Sequence, residues 1–180
     1  MAQLPAAAAT ALGMLLGLPV QPVVAADNQP RLQGSQGHYS ITLLVPVPPA
    51  RAWAVLTNYE ALAGVMPDIQ QATVISRRGP SLVLAQTYRA PYTFGLAIKA
   101  QLQLEETPPR QLRYRLISGD RIRRLQGLWT LTPMPGGTLL RHQIDLEPDL
   151  PSFLRPTYDD LSQANLLQSM AILRRLMLQR

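Results

Sequence analysis

From Ile69 to Glu147 apolar and polar residues alternate with a period of two, interrupted at short intervals by turn residues. Gly79-Pro80-Ser81, Thr107-Pro108-Pro109, Ser118-Gly119-Asp120 and Pro135-Gly136-Gly137 cut this stretch into hairpin-length pieces. The clearest run sets Leu96, Ile98, Ala100, Leu102 and Leu104 against Ala97, Lys99, Gln101, Gln103 and Glu105. The split returns in Leu112, Tyr114 and Leu116 against Arg113 and Arg115. It returns again in Leu140, His142, Ile144 and Leu146 against Arg141, Gln143, Asp145 and Glu147. Strands of this kind form an antiparallel sheet with one wet and one apolar face, and the apolar face needs a cover.

Earlier in the chain, His38 to Val47 alternates as a strand with Tyr39, Ile41, Leu43 and Val45 on one face, ended by Pro46, Pro48 and Pro49. A helix over about Ala50 to Leu56 would bury Trp53 and Leu56, and a second short helix is expected over Tyr59 to Val65. The cover comes from Pro151 to Arg180, a long helix with Leu154, Tyr158, Leu161, Asn165, Ile172 and Leu176 along one line. Leu166, Met170, Leu173 and Met177 form a second line. The fold class is therefore α+β.

The first 26 residues carry no charged side chain and end in Val24-Ala25-Ala26, small residues of the kind a signal peptidase accepts before Asp27. The reading is a signal peptide over 1–26, a polar linker over 27–37 and one domain over 38–180. The protein is then exported to a periplasmic, lumenal or extracellular space. An uncleaved membrane anchor is the alternative, although Pro19 and Pro22 interrupt the apolar run.

The 180 residues include no cysteine and two histidines, which excludes disulfides and thiolate chemistry and leaves too few ligands for an ordinary zinc site. No metal and no cofactor is expected. The net charge of +6 rests on sixteen arginines and Lys99. Arg77, Arg78, Arg89, Arg113, Arg115, Arg123 and Arg124 fall on the wet face. No aromatic residues interleave with them, so nucleic acid is not expected. An anionic membrane surface suits them better, and a solvated face is the plain alternative.

Three stretches carry a family resemblance. Val45-Pro46-Val47-Pro48-Pro49-Ala50-Arg51-Ala52-Trp53-Ala54-Val55-Leu56-Thr57-Asn58-Tyr59-Glu60 is similar to the strand-to-helix signature of the START-like (SRPBCC) superfamily, in its polyketide cyclase/dehydrase and coenzyme Q-binding protein branch. Asn58 stands where that signature usually has Asp. Val65-Met66-Pro67-Asp68-Ile69 resembles its step into the next strand, and Gly119-Asp120-Arg121-Ile122-Arg123-Arg124-Leu125-Gln126-Gly127-Leu128-Trp129 its stretch ending in Gly-x-Trp. The resemblance spans His38 to Leu178. It implies a helix-grip fold: a curved antiparallel sheet wrapped around a long C-terminal helix, with two short helices after the first strand. It implies no single function, because the superfamily holds lipid carriers, cyclases and protein-binding modules.

His142 falls on the apolar face, where a neutral imidazole could bind a ligand carbonyl or hydroxyl, or be a core histidine satisfied by Tyr114, Tyr158 or backbone. Tyr88, Tyr114 and Tyr158 pair an apolar body with one polar tip. Asn165 and Gln168 are placed toward the sheet, where dry amides would be costly. With Ile98, Ala100, Leu102, Trp129 and Leu161, and with Tyr92 and Phe94 on a hinged gate over Ala90 to Gly95, these residues make the expected ligand site.

The first reading is a monomeric, non-enzymatic binder or carrier of a hydrophobic small molecule such as a quinone, isoprenoid or lipid. The alternative is a cyclase, aromatase or dehydratase using His142 or a cavity tyrosine as general acid/base. No nucleophile elbow, phosphate loop, dinucleotide fingerprint or His-Glu-x-x-His motif is present. The N-terminal reading predicts a mature chain beginning near Asp27, recovered outside the cytoplasm. N-terminal sequencing of the native protein checks it, and a soluble cytosolic species that retains Met1 would contradict it.

Overall fold

Period-two alternation in at least six segments produces strands, and with no second sheet they must share one apolar face. The computed structural model describes residues 29–89 and 97–179. It contains eight strands: β1 (Arg31–Ser35), β2 (His38–Val45), β3 (Ile69–Arg78), β4 (Ser81–Arg89), β5 (Ala97–Thr107), β6 (Gln111–Gly119), β7 (Ile122–Met134) and β8 (Gly137–Pro148). All pair antiparallel in one curved sheet of order β1-β2-β8-β7-β6-β5-β4-β3. Two short helices, α1 (Pro49–Leu56) and α2 (Tyr59–Leu62), carry the chain from β2 to β3 at the far edge. A 3-10 turn at Ser152–Leu154 leads into α3 (Arg155–Leu178). This is the expected helix-grip architecture.

The core sits where the alternation places it. Tyr39, Ile41, Leu43 and Val45 of β2 are buried, as are Ile98, Ala100, Leu102 and Leu104 of β5 and Leu140 and Ile144 of β8. Each large aliphatic side chain buried there contributes roughly 1.5–3 kcal/mol. From α3, Met170, Leu173 and Met177 join this core. The second of its two predicted lines is therefore the deeply buried one, while Tyr158, Leu161, Asn165, Ile172 and Leu176 are half-buried.

Several expectations are corrected. Part of the linker expected over 27–37 is a strand: β1 pairs with β2 through a two-residue turn, Gln36 and Gly37, both at positive φ (54° and 87°), with Ser35 opposite His38. Such a turn matches the twist of the flanking strands. Only Leu32 of β1 packs on the core, so the segment shows no alternation; its backbone ladder holds it. In α1 the fully buried residues are Ala52 and Leu56, and Trp53 is partly buried. The second helix ends at Leu62, and Val65 is exposed.

α3 is fastened at both ends. Near its start, Asp159 accepts hydrogen bonds from the Tyr39 hydroxyl and from the Gln36 backbone N–H (2.6 Å), tying the helix to the β1–β2 hairpin. Burial, with Asp159 second, pushes the Tyr39 hydroxyl up to about 12. At its end, the Arg51 guanidinium of α1 donates to the carbonyl oxygens of Met177 (Nε, 3.4 Å) and Gln179. A cation there satisfies carbonyls that have no partner within the helix.

Two of the arginines expected on the wet face are paired there: Arg123 donates to Asp149 (Nε, 2.9 Å) and Arg124 stands 3.7 Å from Glu147. Two others depart from that face, because Arg89 reaches the inner cavity and Arg77, opposite the buried Leu82, forks onto Glu106 at 2.8 and 3.2 Å. Exposed pairs of this sort are worth little. Glu106 differs, since its side chain is only 9% exposed and also accepts from the Tyr59 hydroxyl at 2.6 Å, latching α2 to the sheet. Burial alone would push the Glu106 carboxyl up. The hydrogen bonds from Arg77 and Tyr59 outweigh it and hold the group below its ordinary value.

A carboxylate so held stabilises the fold above the unfolded-state value of about 4.3 and ceases to as pH falls through the folded value. Glu106→Gln should therefore cost about 2 kcal/mol at neutral pH. The difference from the parent should shrink below about pH 4, as read by denaturant unfolding at several pH values.

Candidate functional site

One helix fastened at its ends cannot fill the concave face of an eight-stranded sheet. A cavity of about 290 Å³ remains between the sheet, α2 and α3. Its wall is mainly apolar, with Ile98, Leu102 and Leu104 from β5, Leu112 from β6, Leu125 and Trp129 from β7, and Met170 and Leu173 from α3. That volume lies near the lower end of the usual range for small-molecule sites.

The polar groups on the wall are organised around His142 of β8. Trp129, its direct neighbour in the β7–β8 ladder, stacks on the imidazole at 3.9 Å between ring centroids and 12° between planes. From β6, Tyr114 reaches across β7, and its hydroxyl meets His142 Nε2 at 2.9 Å. It can cross because its ladder partner on β7 is Gly127. A Cβ at Gly127 would lie 2.3 Å from the Tyr114 hydroxyl oxygen and 2.7 Å from the Gln143 carbonyl oxygen. The Gly-x-Trp stretch thus has a physical meaning here: glycine makes room for a tyrosine and tryptophan makes a platform for a histidine.

Desolvation pushes the His142 imidazole down to about 3, so the ring is neutral in ordinary buffers. Burial pushes the Tyr114 and Tyr88 hydroxyls up, with the Asp68 charge adding to both. The Tyr88 hydroxyl donates to Gln86 Oε1 at 2.5 Å. Tyr158 is raised for the same first reason, burial. Asp68 itself, in the loop before β3, has its carboxyl pushed above the usual carboxylate range by burial.

Of the residues expected at the site, Tyr88, Ile98, Leu102, Tyr114, Trp129, His142, Tyr158 and Asn165 do line this cavity. Ala100 does not. It is buried, but its partner across the ladder, Gln86, reaches the wall in its place. Leu161 also misses the wall and Gln168 is exposed, because α3 is turned so that Tyr158, Ser162, Asn165, Leu166 and Ser169 face inward. Serine is tolerated on that line because its hydroxyl finds a partner on the helix itself: Ser162 Oγ donates to the Tyr158 carbonyl at 2.8 Å. Tyr92, Phe94 and the expected gate over 90–95 lie outside the described residues, as does the expected signal segment.

Asp68, Gln86, Ser162 and Ser169 escaped the sequence reading. The spacing 158, 162, 165, 169 was the available signal for the serines, and Asp68 stood in the Val65-to-Ile69 stretch of the family resemblance with no role attached to it. Among the described residues no group of three or more His, Cys, Asp or Glu side chains is placed to hold a metal. None of the described helices is long and apolar enough to cross a membrane.

Gly127→Ala should overpack the Tyr114 ring, cost about 1–3 kcal/mol and separate Tyr114 from His142. Thermal melting reads the first effect and imidazole nitrogen NMR the second. In the parent protein the His142 signals should stay those of a neutral ring between about pH 5 and 8. Unchanged melting together with unchanged His142 signals in the variant would contradict this account.

Comparison with solved structures gives the same fold. A protein of Thermus thermophilus superposes with a TM-score of 0.68 at 20% identity, over 77% of this chain and 95% of that one. The Zhui aromatase/cyclase of Streptomyces sp. R1128 gives 0.65 at 14%, over 82% and 94%. A START superfamily protein of Mycobacterium smegmatis gives 0.62 at 19%, over 76% and 94%. No curated protein matches the chain in sequence. The family model described as polyketide cyclase / dehydrase and lipid transport matches residues 45–170. From β2 through most of α3, then, the chain carries that family's pattern, and it belongs to the polyketide cyclase/dehydrase and lipid transport family.

Proposed function

We propose that this protein binds or carries a hydrophobic small molecule, of the quinone, isoprenoid or lipid class, in the cavity between the sheet and α3, without chemical turnover. The observation that carries this reading is the cavity of about 290 Å³, apolar over most of its wall and provided with a few converging polar groups. The state of His142 supports a binder over a catalyst. A general base works best with a pKa near the operating pH. His142 is depressed to about 3, and its Nε2 is engaged by Tyr114. Work outside the cytoplasm remains part of the proposal, motivated by Val24-Ala25-Ala26, as does brief contact with an anionic membrane through outward arginines such as Arg113 and Arg115.

The enzymatic alternative, a cyclase, aromatase or dehydratase, draws support from the fold it shares with an aromatase/cyclase and from the Tyr114–His142 pair. That pair offers one proton that either partner can donate, depending on the imidazole tautomer.

Native mass spectrometry of the purified protein should show a retained apolar molecule that denaturation releases unchanged. His142→Phe should alter affinity for a short-chain ubiquinone by no more than about tenfold, near 1.4 kcal/mol, with no product formed by either protein. A product that disappears in His142→Phe would overturn the ranking. Binding should also change the emission of Trp129, which lies on the wall, and the change should persist in Trp53→Phe.

A further inference from the structure

The polar atoms on the cavity wall divide into those the protein uses itself and those it leaves available. The hydroxyls of Tyr39, Tyr59, Tyr88 and Tyr114 are engaged by Asp159, Glu106, Gln86 and His142. Asp68 is not engaged in this way. It is the one carboxylate among the described lining residues. Its backbone is fixed, because the Arg89 N–H donates to its carbonyl at 2.9 Å across the β3–β4 edge. Among the described residues its carboxyl has no partner but its own backbone N–H.

Asp68 shares the cavity wall with Tyr88 of β4, Tyr114 of β6 and Tyr158 of α3, and when ionised it would push each of their hydroxyls up. Two cations reach the same wall, Arg89 and Arg121, and neither forms an ion pair with it. With the Gln70 amide oriented oxygen-first, Arg89 donates to it through Nε and one terminal nitrogen, both at 2.9 Å.

Resting on the ligand-cavity reading, we propose that Asp68 selects and orients the ligand: its carboxyl donates a hydrogen bond to a carbonyl or hydroxyl oxygen of an uncharged, otherwise apolar molecule. A carboxylate without a counter-charge in an apolar enclosure is costly, and holding its proton removes that cost. Burial drives Asp68 in that direction. The protonated acid has one O–H to give, and among the described residues no side chain receives it. A ligand oxygen fits. An anionic ligand fits less well, since stripping water from its charge in a mainly apolar cavity carries a cost that a neutral oxygen does not. The substrate class is thus a ketone, quinone or alcohol on an apolar skeleton rather than a fatty-acid anion or a phosphate.

Three probes on one ring system separate the contributions: naphthalene, 2-acetylnaphthalene and 2-naphthoate, titrated by calorimetry into the parent, Asp68→Asn and Asp68→Leu. The parent should bind 2-acetylnaphthalene about tenfold tighter than naphthalene at the lowest pH at which the fold holds. That advantage should fade as pH rises through the titration of Asp68. Asp68→Asn, which still donates but cannot ionise, should keep it at every pH, and Asp68→Leu should lack it throughout while binding naphthalene normally. In the parent, 2-naphthoate should bind weakest. An acetyl advantage that survives in Asp68→Leu, or a pH dependence unchanged in Asp68→Asn, overturns the inference. Tightest binding of 2-naphthoate would also overturn it and assign the wall to an anion held by Arg89 and Arg121. If naphthalene itself fails to bind, the cavity reading falls, and this inference with it.

Discussion

Eight strands present more apolar face than one helix can cover. At roughly 4.8 Å between strands the sheet is some 34 Å across, whereas a helix with its side chains is about 10 Å wide. Curvature brings the strands around α3 but cannot bring every one of them into contact with it. α3 is held at its start by Asp159 on the β1–β2 hairpin and at its end by Arg51 of α1. Its last turns sink Met170, Leu173 and Met177 into the core, and its earlier turns span the sheet over smaller, more polar residues. The cavity follows from this mismatch. It is as much a property of the architecture as of any residue in its wall.

Enclosure then sets the chemistry. Polar side chains on the concave face must find partners or remain neutral, because nearby water is scarce. His142 does both: it stacks on Trp129, bonds Tyr114 and stays uncharged. The arrangement depends on Gly127, whose missing side chain lets Tyr114 cross a strand. Asp68 follows the other route: with no side-chain partner among the described residues, burial pushes its carboxyl toward the protonated form. The inner surface is therefore nearly free of formal charge away from Arg89 and Arg121, which suits an apolar ligand carrying a neutral oxygen.

Outside, the same sheet carries arginines, and acids on β8 and in the loop after it pair with two of them. Asp145 binds His38 and Gln126 at 2.8 and 2.9 Å, and Glu147 and Asp149 pair with Arg124 and Arg123. At Arg123 and Arg124, at least, the positive charge is locally offset. Any electrostatic attraction to a membrane would rest on the outward residues that remain, Arg113 and Arg115 of β6 among them.

The period-two alternation of β2 and β5 to β8 determined the sheet, its buried face and the need for a single covering helix, because burying apolar surface on one side is a local rule repeated along each strand. It placed His142 and Tyr114 on the inner face, and the Gly127-Leu128-Trp129 stretch pointed to the family. What lay beyond it were features held by backbone or by distant partners. β1 has one packed apolar residue, Leu32, and exists through its ladder and the Gln36–Gly37 turn. The rotation of α3 was decided by where its ends are pinned, which turned Ser162 inward rather than Leu161 and left Gln168 in solvent. Ala100 was left off the cavity wall, which its ladder partner Gln86 reaches instead. Asp68 gained its character only from burial on a cavity wall that it shares with Tyr88, Tyr114 and Tyr158, from three separate elements. Alternation is written residue by residue, but desolvation of a carboxyl is a property of the space that distant segments enclose, and only the folded chain sets that space.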